Sequence, residues 1–293
     1  MINTANLQKR LLFVFIAVPI AWFIVNSQFS VTPSSLPPVY PGQILSIILV
    51  LMGTYEYTKM LSIIYPHNAF WLSYIWILGL SVAHLLNFNI PDMLSVFVLL
   101  ILVAIESFFW GKRNRQKRWV RASLLFSGTI FLNIASISLL SLYKEPFQLL
   151  FFTPDNPFLS QLGIVTVLTS IFLCDSAAYL AGSAWGRHHF STISPNKTIE
   201  GSIAGLIAAT VVSSIGWVFL RNPEYPVILG PILGLLIGVM AQVGDLLESI
   251  IKRNFKVKDS STLIPGHGGI LDRFDSVFFT APVLYLFAWL VTK

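Results

Sequence analysis

The segment from Ser249 to Asp275, SIIKRNFKVKDSSTLIPGHGGILDRFD, carries three acidic and five basic side chains, a histidine and three glycines between two strongly apolar runs. Lys252, Arg253, Lys256 and Lys258 are suited to neutralising phosphates, and an arginine can grip one through two parallel hydrogen bonds. Pro265-Gly266-His267-Gly268-Gly269 is a backbone able to come close to a ligand, because glycine tolerates dihedrals closed to other residues. Asp272-Arg273-Phe274-Asp275 sets two carboxylates around a guanidinium where the last apolar run begins, and Asp259 adds a third. Each piece taken alone reads equally well as a turn or a solvated charge.

Upstream, Asp245, Glu248 or Ser249, and Lys252 fall at helical offsets of 0, 3, 4 and 7, one stripe with two carboxylates deep to a lysine. Mg²⁺ prefers oxygen ligands, keeps waters, and is commonly held by one or two carboxylates plus substrate phosphates. Asp245 paired with an aspartate of the next loop suits that pattern. An intramembrane ion pair of Lys252 with Asp245 or Glu248 is the plainer alternative.

A second group lies nearer the middle of the chain. Asp175, Tyr179, Gly182 and Gly186 share one helical face. A carboxylate well inside a bilayer costs at least about 2.5 kcal/mol, so Asp175 must face protein or water. The spacing of Gly182 and Gly186 serves close helix packing as readily as ligand approach. The following loop brings Ser194, Lys197, Thr198 and Glu200 next to a helix start, which makes either a phosphate cradle or an N-cap beside a topological lysine. His188 and His189 are adjacent and do not converge, which argues against a metal pair.

The elements that must position these residues are apolar. Of 293 residues, 55% are hydrophobic and only 11% charged, and mean hydropathy is +0.74. An ordinary soluble domain has roughly 25% charged residues. A bilayer needs about 20 apolar residues per spanning helix, and the long uninterrupted runs exclude an outer-membrane barrel of short alternating strands. The expectation is an all-α polytopic membrane protein with nine spans: Arg10 to Asn26, Gly42 to Ile64, Ala69 to Phe88, Asp92 to Trp110, Val120 to Leu142, Leu162 to Gly186, Gly201 to Leu220, Ile228 to Lys252 and Ser276 to Val291. Tyr55, Glu56 and Lys59 interrupt the second. Lys9 and Arg10 precede a first span read as retained rather than cleaved.

With the N-terminus cytoplasmic and the C-terminus outside, all of the 19 Lys and Arg except Lys144, Arg221 and Lys293 fall on the inner side, as the positive-inside rule asks. The net charge of +6 is therefore largely topological, and no nucleic acid is expected as a partner. The basic cluster Lys112 to Arg121 is a topology anchor or a contact for anionic headgroups. Cys174 is the only cysteine, so no intramolecular disulfide forms. Residues 1–161 read as scaffold and 162–293 as the catalytic part, with loops 187–200 and 253–275 on the cytoplasmic side.

Taken together, Ser249, Ile251-Lys252-Arg253, Lys258-Asp259, Ser261, Ile264-Pro265, His267-Gly268-Gly269-Ile270 and Asp272-Arg273-Phe274-Asp275 resemble, at their spacings, the signature of the phosphatidate cytidylyltransferases, or CDP-diacylglycerol synthases. Ile193 to Gly201 is similar to a second block of that family, so the likeness runs from about Leu162 to the end. Asp175-Ser176-Ala177-Ala178-Tyr179 departs from it, with alanine where a glycine is usual, and Ser183 stands where a basic residue is common.

The resemblance implies that CTP and phosphatidic acid become CDP-diacylglycerol and pyrophosphate at the cytoplasmic face of an inner or plasma membrane. It implies Mg²⁺ on Asp245 and Asp272, a second cation, K⁺ being one candidate, and phosphate contacts from Lys197, Lys252, Arg253, Lys258 and Arg273. His267, Gly268 and Gly269 would shape the nucleotide pocket, with Ser194, Thr198, Glu200, Asp259, Asp275, Asp175 and Tyr179 around it, in a protomer or a homodimer. The alternatives are a CTP-dependent lipid kinase acting on a polyprenol-type alcohol and an ion-coupled transporter using Asp175, Asp245 and Glu248.

Overall fold

The computed structural model describes residues 39–64, 71–86, 101, 115–144, 147–151, 157–189, 194, 197–264 and 268–293. These form eight helices, and no named strand occurs among the described residues. They are α1 (Pro41–Ile64), α2 (Trp71–Leu85), α3 (Arg115–Ser141), α4 (Phe147–Phe151), α5 (Pro157–Trp185), α6 (Ile199–Leu220), α7 (Leu229–Asn254) and α8 (Leu271–Val291). Six of them contain a stretch long and apolar enough to cross a membrane, and α2 is a shorter apolar helix. Seven of the nine expected spans fall on these helices. Arg10 to Asn26 and Asp92 to Trp110 lie outside the described residues, apart from Ile101.

Lipid offers helices little hydrophobic gain on association, so close van der Waals packing between small residues must hold a bundle together. The chain supplies those residues where α5, α6 and α7 meet. On α7, Gly230, Gly234, Gly238, Ala241 and Gly244 recur every three or four residues and are buried. A β-carbon on Gly234 would come within 2.6 Å of the Thr210 backbone on α6. On α6, Gly201, Gly205, Ala209, Ser213 and Trp217 form the matching buried stripe, while Ile203, Ile207, Val211, Ile215 and Val218 form an exposed one that suits contact with lipid. The Trp217 indole is fully buried, donates to the Pro226 carbonyl at 3.1 Å and meets Phe151 of α4 edge-on.

Helix α8 joins the two halves of the chain. It packs on α7, on α3 and on α1, and its buried Phe278, Ala281 and Leu284 belong to the same apolar core as Leu61, Leu132 and Ala135. The second expected span matches its helix, and the start of the last one differs. Helix α1 runs unbroken through Tyr55, Glu56 and Lys59, and α8 begins at Leu271, inside the segment read as loop. At that early start the Ile270 and Leu271 N–H groups donate to the Glu56 carboxylate of α1.

Candidate functional site

The charged residues converge where α5 ends, α6 begins, α7 ends and α8 begins. Helix α6 is capped locally. Thr198 is its N-cap, in extended backbone conformation, and its hydroxyl accepts from the Gly201 N–H at 3.1 Å. The neighbouring Glu200 turns back on the preceding loop, accepting from the Arg187 and His188 N–H groups at 3.2 and 3.3 Å and meeting His188 Nδ1 at 2.6 Å. Gly182 and Gly186 leave room for the Thr198 side chain, so this pair serves packing. Lys197 reaches across to α7 and pairs with Asp245 at 2.9 Å, though off hydrogen-bonding alignment.

Helix α7 ends in a left-handed turn. The Val257 N–H closes onto the Lys252 carbonyl at 3.0 Å while Lys256 adopts φ 60°. A non-glycine residue there costs about 1–3 kcal/mol. The turn sends the chain into the 255–270 loop, whose last glycines face Asp272. Gly268 has φ 84°, and a β-carbon on it would run into Asp272 Oδ2. That oxygen accepts from the Ser260 and Gly269 N–H groups, each at 2.8 Å, and lies 2.9 Å from Ser260 Oγ. Asp272 Oδ1 takes Lys252 Nζ at 2.6 Å, and the same ammonium sits 2.5 Å from Glu248 Oε2. Lys252 is thus shared by two carboxylates one helix apart.

The third group is looser. Asp245, Asp175 and Asp275 repel one another electrostatically. Ser276 Oγ lies 3.3 Å from Asp175 Oδ2, and Asp275 Oδ1 accepts from the Ser276 N–H at 2.6 Å. Counting Glu56, six carboxylates meet two ammonium groups here, Lys197 and Lys252. Arg253, Lys258, Asp259 and Arg273 are exposed beside this cluster. The all-oxygen donor set of this cluster is of the kind that suits Mg²⁺.

Among the described residues no three His, Cys, Asp or Glu side chains converge as a ready-made metal cage. Mg²⁺ does not require one, since one or two carboxylates plus phosphates and water suffice. Asp245, with its side chain 42% exposed, can contribute to such a site directly. Asp272 can contribute only beside Lys252, through the spare lone pair of Oδ1.

The structure therefore brings Asp175, Lys197, Thr198, Glu200, Asp245, Lys252, Gly268, Gly269, Asp272 and Asp275 to one end of the bundle. Tyr179 stands apart, 74% exposed and without a hydrogen bond among the described residues. His267 lies outside the described residues. Glu56, noted in the sequence only as an interruption of an apolar span, also belongs here, as do Ser260 and Ser276. For Glu56 a signal was present, since the cost that singled out Asp175 applies equally to any carboxylate within an apolar helix.

Comparison with known proteins places the chain among recognisable relatives. The cytidylyltransferase family matches residues 8–291. A phosphatidate cytidylyltransferase of Synechocystis is 46% identical over 138 residues, 47% of this chain and 47% of the relative. One from Bacillus subtilis is 42% identical over 131 residues, 43% of this chain and 48% of the relative. One from Staphylococcus aureus is 47% identical over 116 residues, 39% of this chain and 44% of the relative. The chain thus matches these curated relatives over about half of their length.

Proposed function

The chain belongs to the cytidylyltransferase family, and from that premise we propose that it is a membrane nucleotidyltransferase converting CTP and phosphatidic acid to CDP-diacylglycerol and pyrophosphate. One observation carries the reading: Lys197 of the first family-like block pairs with Asp245 on α7, and Lys252 and Asp272 of the second pair with each other, two cation–carboxylate pairs at one end of an apolar bundle.

An oxygen of the lipid phosphate attacks the α-phosphorus of CTP in line. A new P–O bond forms, the bond to the β-phosphate bridging oxygen breaks, and pyrophosphate leaves with that electron pair. No protein nucleophile is needed, so the residues act by alignment and charge neutralisation. Lys197, Lys252, Arg253, Lys258 and Arg273 hold phosphates, while Ser194, Thr198, Glu200, Asp259, Asp175, Tyr179, Asp275, His267, Gly268 and Gly269 frame the substrates. Asp245 and Asp272 are the residues that would hold Mg²⁺, with a second cation such as K⁺ beside it. When bound, the metal supplies charge stabilisation at the transferring phosphoryl group. In the full reading nine spans place this end at the cytoplasmic face of an inner or plasma membrane, N-terminus inside and C-terminus outside, in a chain able to form a homodimer.

Purified protein incubated with labelled CTP and either phosphatidate or a polyprenol tests the proposal. CDP-diacylglycerol plus pyrophosphate supports it. A phosphorylated alcohol plus CDP would make the protein a lipid kinase, and absence of any product would remove the enzymatic reading.

A further inference from the structure

Glu56 belongs to the half of the chain that composition marks as scaffold, and it is fully buried. Both of its carboxylate oxygens are engaged by the 255–271 segment. Oε1 accepts from Ser261 Oγ at 2.6 Å and from the Ile270 N–H at 2.9 Å. Oε2 accepts from the Leu271 N–H at 2.7 Å and lies 2.9 Å from Ser260 Oγ. Among the described residues no lysine, arginine or histidine pairs with it within 4.0 Å, so its negative charge is met by two hydroxyls and by the positive end of α8.

The first amides of a helix have no partner within it and need one from elsewhere. The N-cap of α8 is Ile270, which has no side chain able to serve. Glu56 supplies the cap from 214 residues away. The next residue secures the other end of the loop. Tyr57 packs edge-on against the buried Phe255, with ring centroids 5.9 Å apart, while its hydroxyl donates to the Leu124 carbonyl at 2.7 Å. Consecutive residues of α1 therefore grip the loop where it leaves α7 and where it enters α8.

The grip reaches the candidate metal ligand through one hydroxyl. Ser260 Oγ stands 2.9 Å from Glu56 Oε2 and 2.9 Å from Asp272 Oδ2, so its single proton is shared between two carboxylates. Gly269 completes the contact, because a β-carbon there would collide with Ser260 Oγ and with both Glu56 oxygens. That glycine is thus required by Glu56 as well as by any nucleotide.

The geometry points to Glu56 as a positioning residue for phosphoryl transfer, one that acts through Ser260 and the capped start of α8 to set where Asp272 and Arg273 stand. For its activity readout the inference rests on the cytidylyl-transfer reading, so the test pairs turnover with amide exchange of the full-length protein in detergent. In Glu56→Gln an amide NH₂ faces backbone and hydroxyl donors. Exchange at Ser260, Gly269, Ile270 and Leu271 should rise while α6 keeps its protection, and kcat and kcat/KM for CTP should fall together by about 100-fold, as for a misplacement of about 1 Å. Glu56→Asp keeps the charge on a shorter arm and should recover part of that loss.

Unchanged exchange at Ile270 and Leu271, or raised exchange with kcat within about twofold of wild type, overturns the inference. Should Glu56→Gln fail to accumulate, Ser260→Ala and Ser261→Ala decide. Each removes one donor to Glu56 and should cost several-fold in kcat, and wild-type kcat in both overturns the role. A wild-type protein that makes no CDP-lipid refutes the proposed function, and the exchange data then judge the clamp alone.

Discussion

The loops entering α6 and α8 solve the same problem in different ways. Each must hold a helix N-terminus, whose free N–H groups favour anions, beside a cluster of charges. The α6 entrance is self-sufficient: Thr198 caps Gly201 three residues on, and Glu200 returns to Arg187 and His188. The α8 entrance borrows its cap from α1 and locks Asp272 into the same hydrogen bonds. A locally capped loop can shift as a unit with little effect on the rest, whereas a loop capped from another helix moves only if the bundle moves. The difference assigns the α8 side the tighter alignment and the α6 side the freer lysine.

The largest test of this contrast is Asp245→Asn set beside Asp272→Asn. Each should lower CDP-diacylglycerol formation by about 10³-fold, the scale of removing one preorganised charge contact. Only Asp272→Asn should also speed amide exchange at Ser260 and Gly269, because Asp245 takes no loop amide. Near-normal turnover in either variant would remove that residue from the metal assignment. Gly269→Ala comes next. The added methyl must push Ser260 or Glu56 aside, and turnover should fall by roughly ten- to a hundredfold if a displacement approaching 1 Å follows. Wild-type turnover would mean that the α8 entrance has slack.

Smaller effects belong to the α6 side. Thr198→Ala should cost about 1 kcal/mol, the usual worth of a hydroxyl N-cap, read as a lower Tm in detergent. Combined with Glu56→Gln, its effect on stability should add to within about 0.5 kcal/mol, since the two caps share no partner. Strong coupling would break the contrast between independent and borrowed caps. The smallest effect is expected from Glu200→Gln, whose pairing with His188 is exposed to water and lies where such pairs contribute little, so Tm should stay within error.

The same contrast explains what could be read from the chain alone. The all-helical membrane class and six spans among the described residues follow from apolar length, which depends on local composition. The Thr198 cap and the Gly182–Gly186 packing were also legible, as alternatives, because their partners lie within a few residues or on one helical face. The stripe Asp245, Glu248, Lys252 correctly placed a lysine above a carboxylate, yet nothing local tells whether Lys252 faces Glu248, Asp272 or a phosphate. Glu56 was legible only as an anomaly. Its donors are more than 200 positions away, and no period or spacing encodes that distance.

The borrowed cap also bears on how the protein is made. Glu56 precedes in the chain, by more than 200 positions, the amides that satisfy it at the start of α8. Until α8 arrives, α1 carries a carboxylate whose insertion costs at least about 2.5 kcal/mol. Docking of α8 therefore both satisfies that carboxylate and brings Asp272 into place.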